Sequence, residues 1–304
     1  RRGRTGWKKG KDQRMRILIT GVHSYIGTSF QTYMASRQPD WQIETVSLRD
    51  EQWRKMRFSR YDTVLHTAGI AHADRGKISR EREHLYYQVN TELAVETAEK
   101  AKADGAGQFL YLSSAIIYGN SAPIGKTKVI TEETPPAPQS CYGDSKLQAE
   151  LRLRPLDSPD FHVAILRLPM VYGPGSKGNY LLLAKAARRI PVFPMIRNQR
   201  SMLYVENLCE FLRLVIKNRE SGTFYPQNGE YVCTSEMVKE IAQAHSHRLW
   251  LVKGFQPMLR LAEHGSGLIT KVFGNLAYAQ DLSQYPENYR VCSFAESIRR
   301  TEQK

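Results

Sequence analysis

Tyr142 and Lys146 stand four residues apart in Tyr142-Gly143-Asp144-Ser145-Lys146. On a helix that spacing puts a phenol and an ammonium on one face. The cation favours the phenolate and draws the tyrosine toward general-base range, although the same spacing also describes an ordinary surface pair. Ser113-Ser114 closes a strand-like run, at a sheet's carboxyl edge where a hydroxyl can reach a substrate oxygen. Leu65-His66-Thr67-Ala68-Gly69 ends another run at the same edge, and Asn90 lies in a long helical stretch. The chemistry such a set serves is proton transfer at a substrate oxygen.

A second cluster is the turn Thr20-Gly21-Val22-His23-Ser24-Tyr25-Ile26-Gly27. Glycine here lets the backbone approach a pyrophosphate at a helix N-terminus, where free N–H groups and the dipole favour anions. Ser24 replaces the middle glycine of a GxxGxxG pattern, so a plain tight turn fits the residues equally well.

The elements that must position these groups are legible as alternating runs. Arg16–Thr20, Ile43–Leu48, Thr63–His66, Phe109–Ser113 and His162–Leu168 read as short buried strands. Tyr25–Ser36, Glu83–Ala103 and Ser140–Arg154 read as helices, the second marked by an apolar stripe of Leu85, Val89, Leu93 and Val95. The alternation predicts an α/β Rossmann-type doubly wound parallel sheet with right-handed crossovers. After Gly173 the rhythm changes to a glycine-rich loop, Gly173–Asn179, and a basic helix, Leu181–Arg189. Val205–Lys217 reads as a helix returning to the core, and Ser235–Ala244 as a further helix. The expected organisation is a dinucleotide-binding domain over 15–172, with 200–220 returning to it, and a smaller C-terminal substrate-binding lobe over 173–199 and 221–304. Gly265–Ala279, apolar and glycine-bearing, is expected to be a lobe helix or packing surface rather than a membrane-surface segment.

Composition narrows the classes. At 41% hydrophobic and 24% charged, the chain is neither disordered nor fibrous. The apolar runs are too short to span a bilayer and the N-terminus carries no secretory core, so a cytoplasmic protein with no membrane partner is expected. Of the net charge of +14, residues 1–14 hold +6, as a solvated and disordered or artefactual arm, with Met15 the expected native start. No nucleic-acid partner is expected, and the remaining surplus can steer an anionic substrate. Cys141, Cys209, Cys233 and Cys292 form no CxxC pair, and His23, His66, His72 and His245-Ser246-His247 lack companions at ligand spacing, so no metal site is expected.

In order and approximate spacing, TGVHSYIG, LHTAG, LSSAIIYG, YGDSK, LRLPMVYGPG and RSMLYVENL resemble the extended short-chain dehydrogenase/reductase family. The resemblance covers about residues 15–220 and points to its NAD-dependent nucleotide-sugar epimerase/dehydratase branch. It implies NAD, or alternatively NADP, as cofactor and a nucleoside-diphosphate sugar as substrate. By that resemblance Tyr142 exchanges the proton of a sugar hydroxyl, Lys146 holds the nicotinamide ribose and depresses the tyrosine pKa, and Ser114 hydrogen-bonds the reacting oxygen. Gly21, Tyr25, Ile26 and Gly27 match the pyrophosphate turn, Ala68 and Gly69 the adenosine side, and Pro169 the nicotinamide edge, with Asn90 also counted to the cofactor site. Asn179 and Arg200 match positions that contact the diphosphate, and Phe193 one that packs on the base, ordinary core packing being its other reading. A homodimer is implied too, pairing through Glu83–Ala103 and Ser140–Arg154.

Departures from the family pattern bear on the reaction. Dehydratases of this family place an Asp-Glu pair where Ala115-Ile116 stand, and these cannot do acid–base work. About 20 residues past Gly27, where a carboxylate would bind the ribose 2′-OH, Ser47 is followed by Arg49, which permits NADP, while Asp50 can still serve NAD. Two reactions remain: 4-epimerisation by transient oxidation at C4, placed first, and NAD(P)H-dependent reduction of a 4-ketosugar. A non-catalytic NADP-binding protein is the third reading, disfavoured because Ser114, Tyr142 and Lys146 are all present.

Overall fold

Hydrophobic runs buried on both sides build the centre of the chain. In the computed structural model, which describes residues 14–70, 78–263 and 267–303, Arg16–Thr20 (β1) is buried from Ile17 onward. Ser24 caps Tyr25–Arg37 (α1), and Gln42–Val46 (β2), Gln52–Lys55 (α2) and Thr63–His66 (β3) follow. Arg80–Tyr87 (α3) and Leu93–Asp104 (α4) flank a π-helical stretch, Gln88–Glu92, and Gly105 ends the run at φ +89°. The single helix expected over Glu83–Ala103 is thus longer and contains a wider turn, at Asn90.

Gln108–Ser114 (β4) leads through a short 3₁₀ turn, Ala115–Tyr118, to Val129–Ile130 (β5) and Cys141–Leu153 (α5). Then come His162–Leu168 (β6), Met170–Tyr172 (β7), Asn179–Arg189 (α6), Val192–Pro194 (β8), Met202–Tyr204 (β9), Val205–Lys217 (α7) and Gly222–Phe224 (β10). The chain closes with Thr234–Ala244 (α8), Trp250–Val252 (β11), Gln256–Glu263 (α9), Gly267–Phe273 (α10), Ala277–Tyr278 (β12) and Phe294–Glu302 (α11). Of the segment expected to be one helix or packing surface over Gly265–Ala279, Gly267–Phe273 is helical and Ala277–Tyr278 pairs as β12 with β5.

The chain divides into two units. Unit 1 takes residues up to Ser113 with Ser145–Leu166 and Leu212–Thr223; unit 2 takes Ser114–Asp144, Arg167–Phe211 and Phe224–Lys304. Compared with the lobe expected from sequence, unit 2 also includes Ser114–Asp144, whose β5 pairs with β12, together with residues 167–172 and 200–211, so the segment returning to unit 1 is Leu212–Thr223 rather than 200–220. The central sheet runs β10-β6-β4-β3-β1-β2, with parallel pairing of β2 to β1, β1 to β3 and β3 to β4. Strand order therefore reverses between β1 and β3, the topological switch point where ligands bind in such sheets. Trp53, Phe58, Val64, Phe109, Tyr111, Leu153 and Ile165 lie in the core of unit 1. In unit 2, α8 packs on both α6 and α11, and Phe211 sits among Phe224, Tyr285 and Tyr289.

Candidate active site

At the switch point two turns close on each other. Gly21 has φ +96°, and a Cβ there would stand 3.0 Å from the Ala68 nitrogen and 3.1 Å from its Cα. No side chain fits that gap, so glycine brings the turn after β1 against the turn after β3. A Cβ on Gly27 would meet Ser24 Oγ at 2.5 Å and Ile19 at 3.0 Å. Ser24 needs no glycine, since its φ is −71°; its Oγ accepts from the Gly27 N–H at 3.0 Å and meets Thr67 Oγ1 at 2.5 Å. The incomplete glycine pattern is thus a capped helix start. Tyr25 and Ile26 open α1, in the turn whose N–H groups have no intrahelical acceptor. A bare cradle at a helix N-terminus beside the switch point fits a dinucleotide pyrophosphate.

Lys146 is the centre of the second constellation in unit 1. Its ammonium is buried, donates to the Leu112 carbonyl at 2.9 Å and lies 4.7 Å from the centroid of the Tyr111 ring. Burial pushes its pKa down to about 8, with the Glu150 carboxylate opposing. A Cβ on Gly69 would lie 3.1 Å from Asn90 Oδ1 and 3.5 Å from Lys146 Nζ, so these three matched residues do come together. Asn90, in the π stretch, holds the turn after β3: Oδ1 accepts from the Ile70 N–H at 2.8 Å, and Nδ2 donates to the Ile70 carbonyl and to Ser145 Oγ. Such π turns recur where a side chain must be re-aimed.

Ser47 directly follows β2, and its Oγ accepts from the Arg49 N–H at 3.2 Å; Arg49 is exposed. Asp50, also exposed, accepts from the Gln52 N–H at 2.9 Å through Oδ1.

Unit 2 holds Ser114 and Tyr142. Ser114 Oγ caps the 3₁₀ turn by accepting from the Ile116 N–H at 3.3 Å, which leaves its own proton to donate. The first turn of α5 lies on that 3₁₀ turn: a Cβ on Gly143 would stand 3.0 Å from the Ile116 carbonyl oxygen. Tyr142 opens α5 four positions before Lys146 and is half-buried.

Pro169 and Arg200 line one small cavity together with Ala115, Met170, Ser201 and Tyr278. Arg200 Nη1 donates to the Lys271 and Gly274 carbonyls at 2.8 and 3.2 Å, and burial pushes its pKa down only to about 10, so it stays cationic. Asn179 opens α6 behind Gly178. Phe193 is 6% exposed, with its ring 5.6 Å from that of Phe273, and packs inside unit 2.

Three residues near the site carried no role in the sequence reading. His66 is buried, shares a hydrogen with Thr20 Oγ1 at 3.0 Å and has its pKa pushed down to about 3 by burial and by the Lys146 cation. Glu150 is buried under Ser113, which donates to it at 2.5 Å. Arg167 Nη1 donates to Tyr118 and Tyr225 hydroxyls at 2.5 and 3.1 Å, with the guanidinium over both rings. The available signal was a charged residue inside an apolar strand: Arg167 stands in His162–Leu168. Of the histidines and cations weighed from sequence, His72 and the tail up to residue 13 lie outside the described residues.

A parallel sheet that turns back at β1, with a glycine cradle at that point and a buried lysine set four residues after a tyrosine, is the architecture of the dinucleotide-binding α/β fold. Residues 17–227 match the NAD dependent epimerase/dehydratase family, and the chain belongs to that NAD(P)-dependent family of extended short-chain dehydrogenases/reductases. It is 32% identical over 193 residues to UDP-glucose 4-epimerase of Vibrio cholerae, covering 62% of this chain and 58% of that one. It thus spans little more than half of that relative. Identity to GDP-6-deoxy-D-mannose reductase of Pseudomonas aeruginosa is 30% over 261 residues, covering 78% and 83% of the two chains. The structure of UDP-glucose 4-epimerase from Thermus thermophilus in complex with NAD matches with a TM-score of 0.71 at 21% identity, over 95% of this chain and 98% of that one.

Proposed function

We propose that this protein is an NAD(P)-dependent nucleotide-sugar 4-epimerase. The observation that carries the reading is α5, which holds Lys146 buried against the Leu112 carbonyl and Tyr142 four positions earlier. In this reading the Tyr142 phenolate takes the proton of the sugar C4 hydroxyl and later returns it. The Lys146 ammonium stabilises that phenolate, and Ser114, whose oxygen already accepts from Ile116, donates to the reacting oxygen. Gly21, Tyr25, Ile26 and Gly27 hold the dinucleotide's pyrophosphate, Ala68, Gly69 and Asn90 its adenosine side, and Pro169 the nicotinamide edge. When bound, the nicotinamide supplies reversible hydride transfer at C4. Arg200 and Asn179 take the substrate diphosphate, since a guanidinium fork suits phosphate oxygens. Phe193 enters only as a wall of its unit. Ala115 and Ile116 offer no acid or base for elimination of water, which argues against dehydration.

The second reading is reduction of a 4-ketosugar. Ser47 and Arg49 favour it, since they replace the ribose-binding carboxylate with groups suited to the 2′-phosphate of NADP. Incubation with UDP-glucose and UDP-N-acetylglucosamine without added cofactor separates the two. Appearance of the C4 epimer supports epimerisation; turnover only with NADPH and a ketosugar overturns it. A homodimer and a cytoplasmic location belong to the same reading.

A further inference from the structure

Helix α9 shows its apolar side to solvent. At 100° per residue, Leu261, Met258 and Ala262 fall within about 100° of arc. All three are exposed, Leu261 by 79% and Met258 by 57%. The polar residues of the helix turn the other way. Arg260 Nε donates to the Ile124 carbonyl at 3.2 Å, and Glu263 accepts from the Ile124 N–H at 3.2 Å and from Thr270 Oγ1 at 2.9 Å. A surface helix of a globular domain ordinarily buries its apolar stripe.

Neighbouring elements extend the pattern. α10 packs on α9 and leaves Leu268 51% exposed. Only three residues separate β11 from α9, so Val252 lies within about 14 Å of Gln256. Trp250 (67%) and Val252 (38%) project from one side of β11, and exposed Val192 is the register partner of Trp250. Between residues 248 and 273 Arg248, Lys253 and Lys271 are exposed cations, while the one carboxylate of that stretch, Glu263, is engaged with Ile124 and Thr270.

We propose that this face of unit 2 docks on an anionic lipid bilayer surface, with Trp250, Met258, Leu261 and Leu268 at the acyl boundary and Arg248, Lys253 and Lys271 among the headgroups. The combination of an outward apolar helix side, an exposed tryptophan and the exposed cations Arg248, Lys253 and Lys271 is what an anionic interface complements. The mode is peripheral: among the described residues no helix is long and apolar enough to cross a membrane. The sequence reading expects no membrane partner and takes Gly265–Ala279 as a lobe helix or packing surface rather than a membrane-surface segment, but a sequence does not show which way α9 is turned. α10 ties this face to the cavity described above, because the carbonyls of Lys271 within it and of Gly274 just after it hold Arg200.

The test is flotation of the full chain with vesicles of phosphatidylcholine alone and of phosphatidylcholine with phosphatidylglycerol. Binding is expected to the anionic vesicles. Met258→Asp combined with Leu261→Asp, both on solvent-facing positions, should weaken it at least about tenfold while far-ultraviolet circular dichroism and dinucleotide binding stay unchanged. Trp250→Gln, on a separate element, should weaken it several-fold and abolish the fluorescence blue shift that vesicles induce. Absence of flotation overturns the proposal. So does undiminished flotation of the double variant, which would assign binding to the basic N-terminal residues. A wild-type dimer that the double variant converts to monomer, with no vesicle binding by either, assigns the face to a second copy of the chain and likewise overturns it.

Discussion

The Lys146 ammonium donates to the carbonyl of Leu112 at 2.9 Å, two residues before Ser114. One bond therefore ties α5 to the carboxyl end of β4 and fixes where the cation stands relative to that strand end. Burial makes the ammonium a stronger acid, yet a pKa of about 8 leaves it mostly charged at neutral pH.

Tyr142→Phe removes the proposed acid–base group and keeps the ring. Turnover should fall by roughly 10²–10⁴, while the dinucleotide-induced rise in Tm persists. Product analysis alongside thermal shift checks both; unchanged turnover would remove Tyr142 from the chemistry.

The alkaline limb of activity should report Lys146. With a folded pKa of about 8, the cation is lost as pH rises through that value, and turnover should decline there. Lys146→Arg keeps a charge to higher pH, so its residual activity should lose this limb in a pH–rate profile. For stability the sign is opposite. The unfolded lysine titrates near 10.4, so between about pH 8 and that value the unfolded chain binds more protons, and this group's contribution to stability rises with pH.

His66 makes the fold acid-sensitive. Its folded pKa of about 3 lies below the ordinary 6.5, so its neutral form is favoured by folding. The associated stability is complete above pH 6.5 and drains away as pH falls toward 3, by up to about 1.4 kcal/mol per pH unit. Urea unfolding across that window should show a shallower acid decline in His66→Gln; an identical decline would place the acid sensitivity elsewhere.

Gly21→Ala introduces a side chain at φ +96° and 3.0 Å from the Ala68 nitrogen. A loss of about 1–3 kcal/mol in unfolding free energy is expected from the backbone strain. Dinucleotide affinity should also drop, since the two turns must part. Calorimetric titration against the wild type measures it.

Much of this molecule is written locally. β1, β3 and β6 are apolar runs because a parallel strand covered on both faces tolerates little else, and Val205–Lys217 appears in the structure with the limits read from its pattern. The Tyr142–Lys146 pair is visible because helical spacing alone places two residues four apart on one side. What required the tertiary structure are relations between distant residues. Ser113 over Glu150, Lys146 against Leu112 and Asn90 on the Ile70 turn join positions 20 to 37 apart, and none leaves a local pattern. His66 looks like an ordinary polar residue until burial decides its environment, and Arg167 shows in the sequence only as a charge inside an apolar strand. Periodicity likewise reveals that α9 has an apolar side, but only packing determines that this side faces outward, because a stripe has an angle on its own helix and no direction until a neighbour is present.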